Sequence, residues 1–176
     1  MLRYIFLSVF ALLLLTACGG SGGSDLETFL QNDSDKCVKC DFSEVDLRNF
    51  TDLSEADLRE ANLFWAELTN ANLTGADLME SDLREANLTR ADLTNANLAG
   101  ADLMESYLAG ANLTNADLTN TTLAGANMTG ADLRRAYLRG ANLAGANLTD
   151  AILDDVIGAD LTGAINVPEK YKHLKD

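Results

Sequence analysis

The chain has 176 residues and a formal net charge of −14, with 13 lysines and arginines against 27 acidic residues. This balance excludes nucleic acid as a favoured partner, because phosphate binding requires basic side chains that displace counterions. One histidine and three cysteines leave little for an all-protein zinc site or histidine-based catalysis, so we predict no metal, no cofactor and no enzymatic activity.

The N-terminal segment has the organisation of an export signal. Arg3 precedes an apolar stretch over residues 5–15. As a helix this stretch would span about 16 Å, roughly half of the ~30 Å hydrocarbon core of a bilayer, so it is too short for a stable membrane span. The pattern therefore predicts a secretory signal peptide.

The residues Leu15-Thr16-Ala17-Cys18 end this segment and resemble the bacterial lipobox. The resemblance implies removal of residues 1–17 and acylation of Cys18, which would anchor the protein to a membrane. Gly19 implies the periplasmic side of the outer membrane if the cell is Gram-negative. Residues 18–24 are rich in glycine and serine and predict a flexible tether. The alternative is an ordinary signal peptide with an incidental Cys18.

Residues 25–36 precede a repetitive region and are expected to cap its exposed end. Asp25 would be the N-cap of a short helix, and Leu26, Phe29 and Leu30 would face the repeats. A cap is needed because the end of a stacked fold exposes apolar core and unpaired backbone groups.

Cys37 and Cys40 lie where the repetitive region begins. Counting back by fives from Phe42 and Leu47 places both cysteines at inward positions, so we expect two buried thiols or a disulfide. A thioredoxin-like redox pair would need a βαβ context, which the sequence lacks. A zinc site would need two more ligands, and His173 stands at the opposite end of the chain.

Leucine recurs at every fifth position from Leu53 to Leu153, with Met128 as the single substitute, in 21 consecutive units. A small residue stands two positions before each leucine, and Asp or Asn usually lies between them. Steps of five residues would rotate successive leucines by about 140° around a helix, and would alternate them between the two faces of a strand. Neither element therefore places all the leucines on one face. A chain that turns a right angle every five residues directs every leucine to one axis.

This A-D/N-L-x-x pattern resembles the pentapeptide-repeat family. The resemblance implies an all-β fold, a right-handed quadrilateral β-helix, here over residues 37–166. Each coil would consist of four units, and coils would stack about 4.8 Å apart. Leucine and alanine would fill the interior and leave no lumen for a substrate. Phe50 is one residue too many between Leu47 and Leu53, which predicts a bulge or a loop there.

The register fails after Leu153, because Gly158 stands where a leucine is due and the pattern resumes at Leu161. Residues 167–176 are expected to form a C-terminal tail or cap. Pro168 would open a final helical turn that lies on the last coil with Tyr171 and Leu174.

Function is expected on the outer walls, where residues twenty apart would stack. Stacked carboxylates repel, and the asparagines among them would reduce this repulsion and bond along the stack. The acidic walls predict solubility, with a cation or a basic partner as the alternative. Phe64 and Trp65 fall at a corner, where Trp65 would be exposed unless a terminal segment covers it. With Met79 and Met104 they form our candidate interaction surface.

These features predict a membrane-anchored envelope lipoprotein whose rigid acidic β-helix is a non-catalytic scaffold or an interaction surface for an unidentified envelope protein. The family resemblance supplies an alternative, because its cytoplasmic members associated with quinolone resistance resemble DNA in shape and charge and bind DNA gyrase. The export signal argues against that alternative. An enzyme would need a nucleophile–base pair or a pocket, and the sequence offers neither.

Overall fold

The computed structural model describes residues 36–48 and 52–175. Four sequence predictions lie outside the described residues: the signal peptide, the acylated Cys18, the tether, and the cap as far as residue 35. Phe50 lies outside them as well. Within the described residues the chain forms a right-handed quadrilateral β-helix, which confirms the fold predicted from the five-residue repeat.

Each five-residue unit contributes one outward residue, two inward residues and two corner residues. In one central unit, Asn97 makes parallel bridges to Asp77 in the coil below and to Asp117 in the coil above. Ala96 and Leu98 point inward and are buried. The described residues therefore contain columns of single-residue bridges and no longer strand.

The four walls are named here A to D in chain order, by the outward residues that bridge from coil to coil. Wall A carries Lys36, Asp57, Asp77, Asn97, Asp117, Tyr137 and Ile157. Wall B carries Asp41, Asn62, Asp82, Asp102, Thr122 and Asn142. Wall C carries Asp46, Glu67, Asn87, Tyr107, Asn127, Asn147 and Ile165. Wall D carries Asp52, Asn72, Asp92, Asn112, Asp132 and Ile152.

Among the described residues, the spacing between bridged residues departs from four complete units only at the two ends of the β-helix. At the N-terminal end Asp46 bridges to Glu67 and not to Ala66, whereas Asp52 regains the regular spacing. One additional residue therefore falls between Asp46 and Asp52, in the interval that contains Phe50.

At the C-terminal end the last coil is shorter than the others. Asn147 bridges to Ile165 and not to Val167, which would be its partner in a complete coil. Leu161 regains a buried position. The loss of the repeat after Leu153 and its late resumption are therefore confirmed.

Side chains of leucine and alanine fill the axis. Every leucine of the 21 units, and Met128 in its place, is buried, and each buried leucine contributes about 1.5–3 kcal/mol to stability. Ser81, Ser106 and Thr121 replace alanine at inward positions. Each of their hydroxyls donates to a leucine carbonyl at 2.7–3.0 Å, so these polar groups are satisfied inside the apolar column.

The second residue of each corner adopts a left-handed backbone, which makes the sharp turn. Glycine occupies this position in units such as that of Gly125 (φ 71°), but Trp65 (φ 58°) and Glu85 (φ 57°) adopt the same conformation. A side chain there costs about 1–2 kcal/mol in backbone energy. The corners therefore present large side chains to solvent at an energetic cost.

The helical element of the described chain is a 3₁₀ helix, Glu169–Lys175, which lies against the last coil. Tyr171 is buried, and its hydroxyl donates to Asp154 Oδ1 at 2.8 Å. The backbone N–H of Leu161 donates to the carbonyl of Leu174 at 2.9 Å. Among the described residues, no helix has the length and apolar character needed to cross a membrane.

Candidate interaction surface

The outer walls carry acidic residues at spacings that would bring carboxylates together, and asparagine separates many of them. Wherever asparagine lies directly above an acid, its Nδ2 group donates to the carboxylate below at 2.9–3.3 Å. Asn97 shows why the amide points downward. Its Oδ1 accepts the backbone N–H of Ala99 at 3.2 Å, which turns the NH₂ group towards Asp77 at 2.9 Å.

Acid lies directly over acid at three bridges among the described residues, and each has an arginine two positions after the lower acid. The bridges are Asp46–Glu67, Asp57–Asp77 and Asp82–Asp102, and the arginines are Arg48, Arg59 and Arg84. Arg59 Nε lies 2.7 Å from Asp57 Oδ1 and 3.6 Å from Asp77 Oδ2. Arg84 lies 2.6 Å from Asp82 and 3.8 Å from Asp102. One cation therefore offsets the repulsion between two stacked carboxylates.

These arginines also change how the lower acids titrate. The hydrogen bond from Arg59 lowers the pKa of Asp57 below its usual value, against the opposing effect of burial. The hydrogen bonds from Arg84 and Arg48 lower the pKa values of Asp82 and Asp46 in the same way. Outside these bridges, the hydrogen bond from Arg134 lowers the pKa of Asp132. These arginine-paired carboxylates therefore stay ionised to a lower pH than a free aspartate does.

The two cysteines at the base of the β-helix are joined in a disulfide, with their Cα atoms 5.3 Å apart. Cys37 is buried, and Cys40 packs against the core while remaining partly exposed. The backbone N–H of Cys37 donates to the carbonyl of Asp57 at 2.7 Å. The disulfide therefore lies in the first described turn, at the lower end of wall A. No group of residues suited to hold a metal ion occurs among those described.

Phe64 and Trp65 occupy the corner between walls B and C. Their rings stack with centroids 5.5 Å apart and an interplanar angle of 15°. Trp65 is 53% exposed among the described residues, and Phe64 is half-buried. The Arg84 guanidinium lies 5.4 Å from the centre of the Phe64 ring. Met104 is exposed in the same corner column, one coil above Arg84.

Met79 lies apart from the other candidate residues. It is half-buried at the corner between walls A and B, whereas Met104 follows one full coil and one further wall later in the chain. The two methionines therefore flank opposite edges of wall B, and Asp82 and Asp102 lie between them. Phe64, Trp65 and Met104 therefore share the corner between walls B and C, with Arg84 between the rings and Met104, whereas Met79 lies at the other edge of wall B.

A groove on wall C is a feature that sequence reasoning missed. Its volume is about 440 Å³, and it is lined by Trp65, Glu67, Glu85, Asn87, Thr89 and Tyr107. Tyr107 is 50% exposed and lies two bridges above Glu67 on the same wall. Tyr107 is far from Trp65 in the sequence, so no local sequence pattern links the two residues. Two complete coils nevertheless place both rings beside wall C.

A model of the family described as pentapeptide repeats (8 copies) matches residues 49–85, 86–123, 116–155 and 126–165. A pentapeptide repeat protein from the thylakoid lumen of Arabidopsis thaliana is 32% identical, with a TM-score of 0.55, over 56% of this chain and 69% of that one. Rfr23 from the cyanobacterium Cyanothece 51142 is 28% identical, with a TM-score of 0.49, over 77% of this chain and 99% of that one.

QnrB1, a plasmid-mediated fluoroquinolone resistance protein, is 21% identical, with a TM-score of 0.61, over 73% of this chain and 63% of that one. At this identity the likeness concerns the fold alone. No curated protein matches the sequence.

Proposed function

The chain belongs to the pentapeptide-repeat family, and from this premise we propose that it is a membrane-anchored envelope lipoprotein. Its acidic β-helix would act there as a non-catalytic scaffold and protein-interaction surface. The observation that carries the proposal is an exposed aromatic corner, Phe64 and Trp65, on a rigid shaft whose interior holds leucine and alanine.

The anchoring part of the proposal rests on the sequence. The residues Leu15-Thr16-Ala17-Cys18 follow an apolar stretch, and a glycine- and serine-rich segment over 18–24 comes next. Several acyl chains, each contributing about 0.8 kcal/mol per buried CH₂ group, would hold the protein on a bilayer. The tether would let the shaft sample orientations above the membrane.

The interaction part rests on what the walls expose. The inward polar groups are hydroxyls bonded to backbone carbonyls, so the chemistry available to a partner lies outside. Exposed tryptophan is enriched at sites where partners bind. On this shaft Trp65 is held by a stacked neighbour and a fixed corner backbone, so a partner would lose little entropy in ordering it.

The anchor is tested by metabolic labelling with radioactive palmitate in a bacterial host that expresses the full chain. The full chain should incorporate label, and Cys18→Ala should incorporate none. A Cys37→Ser, Cys40→Ser variant is the matched control, and it should keep its label. Label retained by Cys18→Ala would refute the anchor.

The interaction surface is tested by crosslinking in the envelope. A photoreactive residue placed at Met104, beside the aromatic corner, should crosslink to a discrete protein, and Phe64→Ala with Trp65→Ala should remove that product. The same residue placed at Asn95, exposed at the opposite corner between walls D and A, serves as the control position. Equal crosslinking from both positions would refute a localised surface.

The alternative of DNA mimicry has one observation in its favour, the stacked carboxylates of the walls. It predicts that the purified chain inhibits supercoiling of DNA by gyrase at micromolar concentration or below. The lipoprotein proposal predicts no inhibition. Potent inhibition would favour the alternative and would require a cytoplasmic pool of the protein.

A further inference from the structure

The groove on wall C combines two exposed aromatic rings with two carboxylates. Trp65 stands at its lower end and Tyr107 at its upper end, with Glu67 and Glu85 among the lining residues. Successive bridges of a β-helix are about 4.8 Å apart, so two bridges separate the ends of the groove by roughly 10 Å. That span suits about three residues of extended polypeptide.

The charge of the groove is negative. Among the described residues, neither Glu67 nor Glu85 has a basic side chain within 4 Å, although Arg48 and Arg84 lie nearby. Those two guanidinium groups are directed to Asp46 and Asp82 at 2.6 Å. Glu67 instead accepts the amide of Asn87 at 2.9 Å, which fixes its carboxylate on the wall.

The aromatic rings add a second preference for a cation. The faces of tryptophan and tyrosine attract ammonium and guanidinium groups placed within about 6 Å. An extended segment directs every second side chain to the same face, with about 6.6 Å between them. Two basic side chains at such spacing would fit between the rings and reach both carboxylates.

The walls offer no backbone edge to an added strand. On wall C the N–H of Tyr107 donates to the carbonyl of Ala86 below, and its own carbonyl accepts the N–H of Leu88. Recognition in the groove must therefore use side chains. The chain's own residues 18–35 are unsuited as the occupant, because they contain four acids and no lysine or arginine.

We infer that the groove on wall C binds an extended, lysine- or arginine-bearing segment of a partner protein. The inference rests on the proposed function as an interaction surface and gives it a partner chemistry. Charge complementarity selects a basic segment over an acidic or neutral one. Trp65 and Tyr107 bracket the segment, and Glu67 and Glu85 pair with its cations.

The protein carries its own reporter, because Trp65 is its single tryptophan. We would titrate the full chain at low ionic strength with the peptide AKAKA, blocked at both ends, and follow tryptophan fluorescence. The neutral peptide AQAQA and an uncharged chitooligosaccharide are parallel probes. AKAKA should give a saturable change, and the neutral probes should give none.

Matched variants distinguish binding in the groove from nonspecific attraction of the peptide to an acidic protein. Tyr107→Ala should weaken AKAKA binding about two- to fivefold, while Tyr137→Ala, an exposed tyrosine on wall A, should leave it unchanged. Glu67→Gln with Glu85→Gln should weaken binding more than Glu55→Gln with Glu80→Gln, which removes the same charge at corners away from wall C.

Three results would overturn the inference. These are no response to AKAKA, equal weakening by the two double variants, or a response to the saccharide that matches or exceeds that to AKAKA. None of them bears on palmitate labelling or on crosslinking from Met104, so failure of the groove is distinguishable from failure of the proposed function.

Discussion

Asn97→Asp tests whether the alternation of asparagine and aspartate on the walls stabilises the β-helix. The change removes a hydrogen bond from Asn97 Nδ2 to Asp77 Oδ1 at 2.9 Å and places a carboxylate between Asp77 and Asp117. The lost bond costs about 1 kcal/mol on a half-exposed wall. Repulsion between charges about 5 Å apart adds about 1 kcal/mol in water.

The expected loss of about 2 kcal/mol would lower the urea midpoint of the full chain by about 1 M at pH 7. Asn127→Asp is the matched control, because Asn127 lies between Tyr107 and Asn147 and meets no acid. It should change the free energy of unfolding by less than about 0.5 kcal/mol.

Two further measurements test the cause of the loss. Adding Met79→Arg to Asn97→Asp places an arginine two positions after Asp77, as at the natural acid-over-acid bridges, and should recover part of the stability. At about pH 3 and below, protonation should shrink the penalty of Asn97→Asp. Equal losses for Asn97→Asp and Asn127→Asp at pH 7 would refute the reasoning.

The remaining predictions concern the core, the ion pairs and the corners, all measured by urea unfolding. Leu113→Ala should lower the free energy of unfolding by about 3–4 kcal/mol. Leu53→Ala, at the slightly exposed lower end of the same column, should lower it by about half as much. Equal losses would contradict stacking as the source of stability. Arg59→Gln should destabilise the protein at pH 7, because the lowered pKa of Asp57 contributes stability above about pH 4 that is lost as the pH falls. The deficit should therefore shrink as the pH falls below about 4, and a deficit that stays the same at acidic pH would assign the effect to packing. Arg135→Gly should exceed Arg135→Ala in stability by about 1 kcal/mol because φ is 58° at this corner, and a smaller gain for glycine would show that the corner is unstrained.

Periodicity was sufficient to predict a chain that turns every five residues, because neither a helix nor a straight strand directs every fifth residue to a common axis. The right-handed form was implied by the family resemblance. The same arithmetic predicted which residues share walls A and B, and it predicted bonding by asparagine along the stacks. It did not predict that Arg59 and Arg84 each bridge two carboxylates. That arrangement depends on the direction of a corner side chain, although Asp-Leu-Arg below a second acid is a pattern that a sequence reveals.

The candidate surface was predicted less completely. Trp65 and Phe64 stand out locally as large residues at a corner. Tyr107 joins Trp65 only through the stacking of coils, and it occupies a position where most other units carry Asp or Asn. Met79 and Met104 were expected at first corner positions on adjacent walls, and they lie at the two edges of wall B.

The four-unit coil also limits how this gene can tolerate insertions and deletions. Gain or loss of a whole coil would change only the height of the shaft, whereas a single five-residue unit inserted between Glu85 and Tyr107 would rotate everything above it by a quarter turn. The tyrosine would then face a different side from Trp65, with every unit still intact. Among the described residues, irregular gains and losses of one or two residues are accordingly found only in the first and last coils, where at most one further bridge on each wall lies beyond them.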